Sequence, residues 1–377
     1  MNRSPPKILV VGAGLSGATI AEQAAKAGAI VRVIEKRNHI AGNVYDEIDD
    51  ITGIRISRYG AHLFHTNDEE VWNYVNGFGE WVRWDHTVVA DISGTLVPVP
   101  VNSTTVNSLC GVAIQTDAEM AEWLTATQIP CASPKNSEEV ALSRVGRPLY
   151  ELLFKPYTWK QWGKFPSELE PEVLARIPVR TNFDPRYFTD KFQALPKFGY
   201  TEIVRKMLDH PRISVQLNSS WENFQPSAEF SPDQIVFTGP IDTFFADAGL
   251  PKLEYRSIDF EWTRIPNIGF YQANSVVNYP TPLNPYTRCV EYKHFLHQKS
   301  EWTILSKERT CDIGEPYYPV PTESNRELYK KYAELSKKMG PSVHFIGRLA
   351  SYKYFNMDQA IRAALDYFRK QIKLDID

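Results

Sequence analysis

Three glycines and an acidic residue near the start of the chain have the spacing of a nucleotide site. Gly12, Gly14 and Gly17 form the pattern G-x-G-x-x-G, with Ser16 inside it, and Glu35 follows about 20 residues later. Such glycines let the backbone approach a pyrophosphate, and the N–H groups of a helix that begins there can donate to the phosphate. The acid can accept hydrogen bonds from ribose hydroxyls. The pattern predicts a dinucleotide site.

The elements that must position these residues are also predicted by the sequence. Residues 7–11 form a continuous apolar run, which is typical of a strand buried on both faces. The alanine-rich stretch 18–27 predicts a helix that ends at Gly28, and residues 30–34 predict a second strand that leads into Glu35. Strand, glycine turn, helix and strand together predict a βαβ unit.

The rest of the chain divides into a helical part and a part rich in strands. Apolar residues at helical spacing predict helices between about Asn102 and Arg176. Runs of β-branched and aromatic residues predict strands at 213–217, 234–238, 258–263, 287–295 and 302–307. A last buried strand is predicted at 343–347, followed by an amphipathic helix, and this strand and helix resemble the first strand–helix unit. We therefore expect a discontinuous domain that the chain leaves and re-enters.

Composition excludes several classes of function. The net charge of −3 argues against non-specific binding to nucleic acid and against binding to a membrane surface through a polybasic patch. No apolar run approaches the roughly 18 residues of a membrane span, and the polar start Met1–Lys7 does not resemble a signal peptide. The cysteines are scattered, and His62 and His65 lack acidic or thiol companions, so we expect no disulfide framework and no metal site. These features predict a cytoplasmic protein.

The stretch from Glu35 to Asn43 indicates which dinucleotide is bound. It resembles the E-x-R-x-x-x-G-G extension of FAD proteins of the glutathione-reductase-like superfamily, with Arg37 as the basic residue and Ala41 in place of the first glycine. The resemblance implies FAD rather than NAD, held in part by Lys36, Arg37, Gly42 and Asn43. A second G-x-G-x-x-G for a nicotinamide cofactor is missing from the sequence.

Several further segments, in order along the chain, resemble signatures of the bacterial-type UDP-galactopyranose mutases. They are Arg58–Asn67, Tyr157–Gly163, Arg176–Arg180, Asn278 with Pro285–Arg288, Glu315–Val320, Gly347–Ala350 and Tyr352–Tyr354. The resemblance implies an α/β fold in which a Rossmann-like FAD-binding domain carries an inserted helical domain and an antiparallel β-sheet domain. We expect the FAD-binding domain at residues 1–85, 200–245 and 340–377. The helical lid and substrate domain is expected at 100–180, and the sheet domain at 86–99, 181–199 and 246–339.

The resemblance also implies an activity. Enzymes of this family are flavin-dependent isomerases that interconvert UDP-galactopyranose and UDP-galactofuranose without net redox change, and the furanose enters cell-surface polysaccharides. FAD works in its reduced form and attacks the anomeric carbon as UDP leaves, which is covalent catalysis. The resemblance further implies a homodimer, a UDP-hexose substrate, and no nucleic-acid partner or membrane insertion.

The resemblance assigns roles to individual residues. Arg176 and Arg288 match two arginines that grip the diphosphate and stabilise its departure, so we expect them to be catalytic. Trp162, next to Gly163, matches a tryptophan of a mobile lid, and Arg264 matches a residue near the flavin. The expected substrate contacts are Phe154, Tyr157, Trp162, Arg176, Tyr187, Asn278, Arg288, Tyr318, Tyr354 and His86. The expected cofactor contacts are Gly12, Gly14, Ser16, Gly17, Glu35, Lys36, Arg37, Gly42, Asn43, His62, Leu63, Val215, Arg348, Met357, Asp358 and Gln359.

Two positions depart from the family pattern. Asn356 stands where the family has an acid after two aromatic residues, and it is the predicted N-cap of the last helix. The N-terminus of that helix would face the flavin and favour its anionic reduced form. His86 stands where the family has an asparagine that contacts the sugar. A mutase that acts on an N-acetylated or deoxy nucleotide hexose is therefore an alternative.

Other classes share the cofactor signature. A flavin amine oxidase would need an apolar cage for an amine instead of arginines for a diphosphate. A binding protein of the Rab GDP-dissociation-inhibitor type shares the fold but would not bind FAD, so its purified form would be colourless. An ordinary FAD dehydrogenase would use its substrate as reductant, whereas a mutase needs prior reduction and conserves the mass of its substrate.

Overall fold

The computed structural model describes residues 4–372. The outermost residues of the expected FAD-binding domain and of the polar start, 1–3 and 373–377, lie outside the described residues. The strands, in chain order, are β1 (Lys7–Val11), β2 (Ile30–Ile34), β3 (Asp46–Ile48), β4 (Arg55–Ser57), β5 (Phe64–Thr66), β6 (Trp81–Arg83), β7 (Val88–Ile92), β8 (Thr95–Val99), β9 (Phe192–Pro196), β10 (Ile213–Gln216), β11 (Gln234–Phe237), β12 (Tyr255–Pro266), β13 (Val276–Asn278), β14 (Arg288–Glu291), β15 (Trp302–Cys311), β16 (Tyr318–Pro319) and β17 (Val343–Phe345).

Helices alternate with these strands at both ends of the chain and cluster in its middle. They are α1 (Leu15–Lys26), α2 (Glu69–Asn76), α3 (Ser103–Cys110), α4 (Asp117–Thr127), α5 (Ser137–Leu149), α6 (Lys155–Trp162), α7 (Glu172–Ala175), α8 (Tyr200–Leu208), α9 (Ile241–Phe244), α10 (Glu323–Lys338) and α11 (Met357–Gln371). Within residues 4–372, no helix combines the length and the apolar character needed to cross a bilayer.

The dinucleotide unit predicted from the sequence is present. A parallel sheet has the strand order β10-β2-β1-β11-β17, so β1 lies between its own βαβ partner β2 and the later strand β11. The central strand is apolar because both of its faces are covered, and Ile8, Leu9 and Val10 are fully buried. Strand β17, from late in the described chain, pairs with β11 at one edge, so strands from distant parts of the sequence share this sheet. The expected bounds of the FAD-binding domain stay a prediction.

The second large sheet has the order β16-β12-β15-β14-β13-β7-β8. Its neighbours pair antiparallel except β13 and β7, which run parallel. The strand predicted at 287–295 is shorter than expected: after β14 the chain turns into a 3₁₀ helix at Tyr292–His297. Tyr292 and Phe295 are nevertheless buried in the core, so apolar residues with the composition of a strand pack from a helical turn instead.

The helical part lies between β8 and β9 and contains α3 to α7. Gly146 interrupts α5 with a positive φ of 71°, and a π-helical turn, Tyr150–Phe154, leads directly into α6. These helices have hydrophobic clusters of their own, one of which includes Trp162, Leu174 and Val320. Because the partly buried Tyr318 and Tyr354 pack on that cluster, the helical part forms one wall of the cavity described below.

Candidate active site

The glycine turn lies at the carboxyl end of β1, where parallel strands present ligand sites. A Cβ built on Gly17 would lie 2.0 Å from the carbonyl oxygen of Gly12, so only glycine lets α1 approach the turn this closely. A Cβ built on Gly14 meets nothing nearer than the Cα of Gly42, at 3.8 Å. The surface above Gly14 is therefore open, and a phosphate can approach the backbone there.

Glu35 and Arg37 organise the polar end of this turn. The Ala13 N–H donates to Glu35 Oε2 at 2.9 Å, and the Arg37 N–H donates to Oε1 at 3.0 Å. Arg37 lies over the Tyr59 ring, with Cζ 4.2 Å from the ring centre, and its Nη2 donates to Asn43 Oδ1 at 3.0 Å. Its Nη1 is buried and has no partner among residues 4–372. A buried donor left free beside the glycine turn fits an anionic dinucleotide.

One cavity of about 770 Å³ joins this turn to the second sheet and the helical part. That volume is within the range of roughly 300–1,000 Å³ found for ligand pockets. From the expected substrate set the lining includes Phe154, Tyr157, Arg176, Tyr187, Asn278, Arg288, Tyr318, Tyr354 and His86. From the expected cofactor set it includes Gly12, Gly14, Ser16, Gly17, Glu35, Lys36, Arg37, Gly42, Asn43, His62, Leu63, Arg348 and Met357.

Two expected site residues lie away from this cavity because their strand or helix turns them elsewhere. Val215 pairs with Val33 in the edge strand β10, where it is 38% exposed. Trp162 is buried behind the cavity wall, with its ring 6.2 Å from the Tyr318 ring and 6.1 Å from the Tyr354 ring. In this structure neither Val215 nor Trp162 lines the cavity, so the expected contacts of Val215 with cofactor and of Trp162 with substrate find no support in its geometry.

The first turn of α11 gives a similar correction. Asp358 does not line the cavity, since its Oδ2 accepts a hydrogen bond from Thr66 Oγ1 at 2.9 Å. Gln359 also turns away, and its Oε1 accepts from the N–H of Asn356 at 3.0 Å. Met357 and Asn356 do line the cavity, so the N-terminus of α11 faces it as expected.

Arg264 provides a further correction, since it does not line the cavity. Its Nε lies 3.0 Å from Asp49 Oδ2, and Nη2 contacts the same carboxylate. The resulting ion pair holds the pKa of Asp49 at about 2, mainly through the hydrogen bonds from Arg264. Arg264 therefore forms a salt bridge between β12 and the β3–β4 connection, instead of lying near the flavin as expected.

Arg288 is held by a buried acid that the sequence did not single out. Its Nε donates to Glu308 Oε2 at 2.6 Å across the β14–β15 pair, and Glu308 is 1% exposed. Burial by itself would lower the pKa of Arg288, but Glu308, together with Tyr318 and Tyr157, outweighs that effect and holds the pKa well above the usual value. Because Nε is engaged by Glu308, the two Nη groups stay available for a ligand in the cavity.

Arg176 is placed by aromatic rings instead of by an acid. Its guanidinium carbon lies 4.0 Å from the centre of the Tyr354 ring, and Tyr354 stacks on Tyr318 with 5.5 Å between ring centres. Burial would raise the pKa of Tyr354, but the nearby Arg176 charge lowers it. Arg348 lies over the other tyrosine, 5.4 Å from the Tyr318 ring centre. With Arg288, the guanidinium groups of Arg176 and Arg348 and the hydroxyls of the two tyrosines line the same cavity. This arrangement suits a ligand with several negatively charged oxygens.

Two histidines of the cavity are kept neutral. Burial lowers the pKa of His62 to about 4, and its Nδ1–H donates to the Gly60 carbonyl at 2.7 Å, which leaves Nε2 as an acceptor. Burial, with the charge of Arg288, lowers the pKa of His86 to about 3. The Trp84 indole Nε1–H donates to His86 Nδ1 at 3.4 Å, so the proton of His86 is carried by Nε2.

Sequence reasoning missed other parts of the cavity. Thr238, Gly239 and Pro240 line it at the carboxyl end of β11, beside the glycine turn. The end of a predicted strand was the available signal, because ligands lie where the strand order changes direction. His65 also lines the cavity and pairs through Nδ1 with Asp190 Oδ2 at 2.9 Å, but these two residues are 125 positions apart in sequence.

Comparison with protein families gives two matches. Residues 152–354, more than half of the chain, match the family model described as UDP-galactopyranose mutase. Residues 10–78 match the model of an NAD(P)-binding Rossmann-like domain, which contains the glycine turn and Glu35.

Individual relatives cover nearly the whole chain. A probable UDP-galactopyranose mutase of Klebsiella pneumoniae is 38% identical, over 95% of this chain and 92% of the relative. A dTDP-fucopyranose mutase of Escherichia coli is 37% identical, over 97% of this chain and 98% of the relative. The crystal structure of a reduced UDP-galactopyranose mutase superposes with a TM-score of 0.75 at 17% identity, over 98% and 96% of the two chains, which shows a shared fold.

Proposed function

The chain belongs to the UDP-galactopyranose mutase family, and on that premise we propose that it interconverts UDP-galactopyranose and UDP-galactofuranose with FAD in its reduced form as cofactor. The observation that carries the proposal is that Arg176 and Arg288 line the same cavity as the dinucleotide turn. A nucleotide-sugar diphosphate needs such cations, and a flavin needs such a turn. The enzyme is an isomerase, since ring contraction changes neither the mass nor the oxidation state of the sugar.

The residues of the turn fit FAD. Glu35 is the acceptor for ribose hydroxyls, and the open backbone at Gly14, with the free Nη1 of Arg37 nearby, suits a pyrophosphate. The N-terminus of α11 and its residues Asn356 and Met357 line the same cavity and favour negative charge there. Reduced FAD, when bound, supplies an electron-rich nitrogen as nucleophile toward the anomeric carbon of the sugar.

The arginines act on the leaving group. As the bond between the anomeric carbon and the phosphate oxygen breaks, negative charge grows on UDP, and the Nη groups of Arg288 and Arg176 stabilise that charge. Tyr318 and Tyr354 add hydroxyl donors beside them. Because the same cations bind UDP after it has left, they hold it ready to return to the anomeric carbon once the ring has changed size.

Aromatic side chains hold the nucleoside and keep water away. Tyr157 and Phe154 line the cavity on the helical side, where Tyr157 can stack on the uracil, and Asn278 offers an amide to the same nucleoside. Tyr187 and His86 close the sugar region, with 5.9 Å between their ring centres. An enclosed aromatic wall protects an activated sugar from hydrolysis.

The main test is conversion by the purified protein. The protein should be yellow as isolated, and after reduction by dithionite it should convert UDP-galactofuranose to UDP-galactopyranose, detected by chromatography. The oxidised protein serves as the control and should be inactive. A colourless protein, or a reduced yellow protein that leaves every nucleotide hexose unchanged, would contradict the proposal. An amine oxidase is disfavoured by the arginines that line the cavity, and oxidation of an amine without dithionite would support it instead.

A dTDP-6-deoxyhexose is a second candidate substrate, since a dTDP-fucopyranose mutase is 37% identical. His86 is the relevant residue in this chain, because a neutral imidazole whose Nδ1 is engaged by Trp84 offers the sugar a single N–H donor. An asparagine offers both a donor and an acceptor, so it can bind one more sugar hydroxyl.

We therefore expect His86→Asn to shift the preference between the two substrates. The ratio of kcat/KM for UDP-galactofuranose to that for dTDP-fucofuranose should rise by at least about 10-fold, since a hydroxyl with a matched partner discriminates against its deoxy analogue. Both substrates are measured on one enzyme preparation, so a general loss of activity cancels. An unchanged ratio would remove His86 from sugar recognition.

Asn356 leads to a prediction about the flavin itself. In Asn356→Asp a negative charge is added at the cavity, which disfavours the anionic reduced flavin. We expect the two-electron reduction potential to become more negative by roughly 30 mV, which corresponds to about 1.4 kcal/mol. Asn76→Asp, the same change at an exposed position of α2, is the control. A potential equal to that of the control would refute the effect.

Location and assembly remain predictions. The four cysteines, all within residues 4–372, are free, which is consistent with a reducing cytoplasm. The homodimer is carried over from the family resemblance.

A further inference from the structure

Lys160 is a lysine of α6 with an unusual set of partners. Its Nζ lies 2.5 to 3.3 Å from four backbone carbonyl oxygens, those of Tyr279, Thr281, Asn284 and Tyr286, which share its three N–H donors. Among residues 4–372 no carboxylate forms an ion pair with it. Burial lowers the pKa of Lys160 to about 8, so at neutral pH the amine carries its charge into this ring of carbonyl oxygens. We refer to these four oxygens as the carbonyl cage.

The cage belongs to the loop 279–287, which joins β13 to β14. Pro280, Pro282 and Pro285 lie in this loop and have no N–H group, so the loop has few donors for its own carbonyls. Within the cage, the Asn284 N–H gives only a long contact of 3.4 Å to the Thr281 oxygen. Apart from that contact, the ammonium of Lys160 is the donor that these four carbonyls have among residues 4–372.

The loop and the helix that Lys160 connects both carry walls of the cavity. Asn278 and Arg288 face each other in register at the base of the loop, and both line the cavity. Tyr157 lies three residues before Lys160, on the same side of α6, and lines the cavity from the helical part. Lys160 is thus the direct link between a hairpin of the sheet and a helix whose side chains meet at one ligand.

The C-terminal end of α6 is fixed independently. Thr310 Oγ1 donates to the carbonyl of Lys160, and Arg256 Nε donates to the carbonyl of Gln161 at 3.2 Å. The helix is therefore anchored on β15 and β12 whether or not the Lys160 ammonium is present. Removal of that ammonium should free the loop while leaving the helix in place.

We propose that Lys160 is a positioning residue whose ammonium fills the carbonyl cage. It thereby holds the β13–β14 hairpin, which carries Asn278 and Arg288, against α6, which carries Tyr157. The part that concerns catalysis rests on the proposed function. Lys160 does not touch the cavity itself. It fixes the distance between the groups for the nucleoside on α6 and the guanidinium for the diphosphate on β14, and small errors in such a distance are costly for a reaction that depends on orientation.

The test compares Lys160→Met with Lys155→Met. Methionine keeps the unbranched, apolar part of the lysine side chain but cannot donate, and Lys155 lies on the same helix with an ordinary ion pair to Glu151 at 2.8 Å. Hydrogen exchange of the backbone amides in 279–287 is measured on the flavin-loaded protein at pH 7. UDP affinity, by titration, and mutase kinetics are measured on the same samples.

In Lys160→Met we expect exchange in 279–287 to become at least 10-fold faster. UDP should bind about 10-fold more weakly, and kcat/KM should fall by about 10- to 50-fold. Flavin content and melting temperature should equal those of Lys155→Met. In Lys160→Ala, ethylammonium or propylammonium in the buffer should restore UDP affinity in part, because a free ammonium can enter the cage, and the same concentration of ethanol should not.

Two results would overturn the proposal. One is exchange and UDP affinity in Lys160→Met equal to those of Lys155→Met. The other is loss of flavin and of the folded circular dichroism spectrum in Lys160→Met, which would assign Lys160 to the stability of the whole chain. Failure of the proposed function is recognised separately. In that case the unsubstituted protein neither binds UDP nor converts the sugar, while faster exchange in Lys160→Met would still support the role of the cage.

Discussion

Replacing Arg288 by lysine is expected to lower kcat/KM of the reduced enzyme by about 10³-fold, with flavin content unchanged. Arg288 uses Nε for Glu308 and has two Nη groups left for the diphosphate. A lysine has one ammonium, which must either pair with the buried Glu308 carboxylate or reach the phosphate oxygens. Most of the loss should be in kcat, because the charge on departing UDP grows in the transition state.

Lysine is the informative substitution because it keeps a charge beside Glu308. Arg288→Ala would leave that carboxylate buried and unpaired, which costs roughly 3–5 kcal/mol and would confuse folding with catalysis. Arg309→Lys is the matched control: it lies on the neighbouring strand β15 and pairs with Asp259 in an exposed ion pair. A loss in Arg288→Lys no greater than in this control would remove Arg288 from the reaction.

Two glycines of the turn are expected to respond to alanine in opposite ways. In Gly14→Ala the protein has room for the new methyl group, whose nearest neighbour is 3.8 Å away, but that group occupies the surface where a pyrophosphate must approach. We expect flavin to bind about 10²-fold more weakly, with the melting temperature of the flavin-free protein nearly unchanged.

In Gly17→Ala the new methyl group would lie 2.0 Å from the Gly12 carbonyl oxygen, so α1 must move away from β1. We expect a loss of about 3 kcal/mol in the free energy of unfolding, measured with urea on the flavin-free protein. Gly269→Ala, where the methyl group meets nothing within 4 Å, is the control. If Gly14→Ala destabilised the fold as much as Gly17→Ala, the two roles assigned to these glycines would be wrong.

The parts of the fold that follow from local pattern could be predicted. Runs 7–11 and 30–34 are mainly apolar because their strands are covered on both faces. The glycines between the two runs are explained by the tight turn of a dinucleotide motif. Residues 287–295 show the limit of this approach. Their apolar side chains all reach the core, but the backbone leaves the strand after Glu291, and burial alone does not distinguish a strand from a tight helical turn.

The site could be predicted only where a motif carried it. The family resemblance of Tyr157–Gly163 predicts that Trp162 belongs to a lid. In the structure its ring packs behind Tyr318 and Tyr354, which lie far along the chain. Glu308 gave no signal, since a single acid in a strand is usually exposed. Only the pairing of β14 with β15 brings it to Arg288.

The place of β17 in the parallel sheet has a consequence for biosynthesis. The strand pairs with β11, and the residues that follow it, among them Gly347, Arg348 and Met357, complete the cavity around the glycine turn. A ribosome delivers the N-terminal βαβ unit more than 300 residues before these residues, while domains tend to fold in the order in which they emerge. The N-terminal βαβ unit therefore cannot enclose a dinucleotide by itself, and the pocket closes only after residues 343–357 have been added.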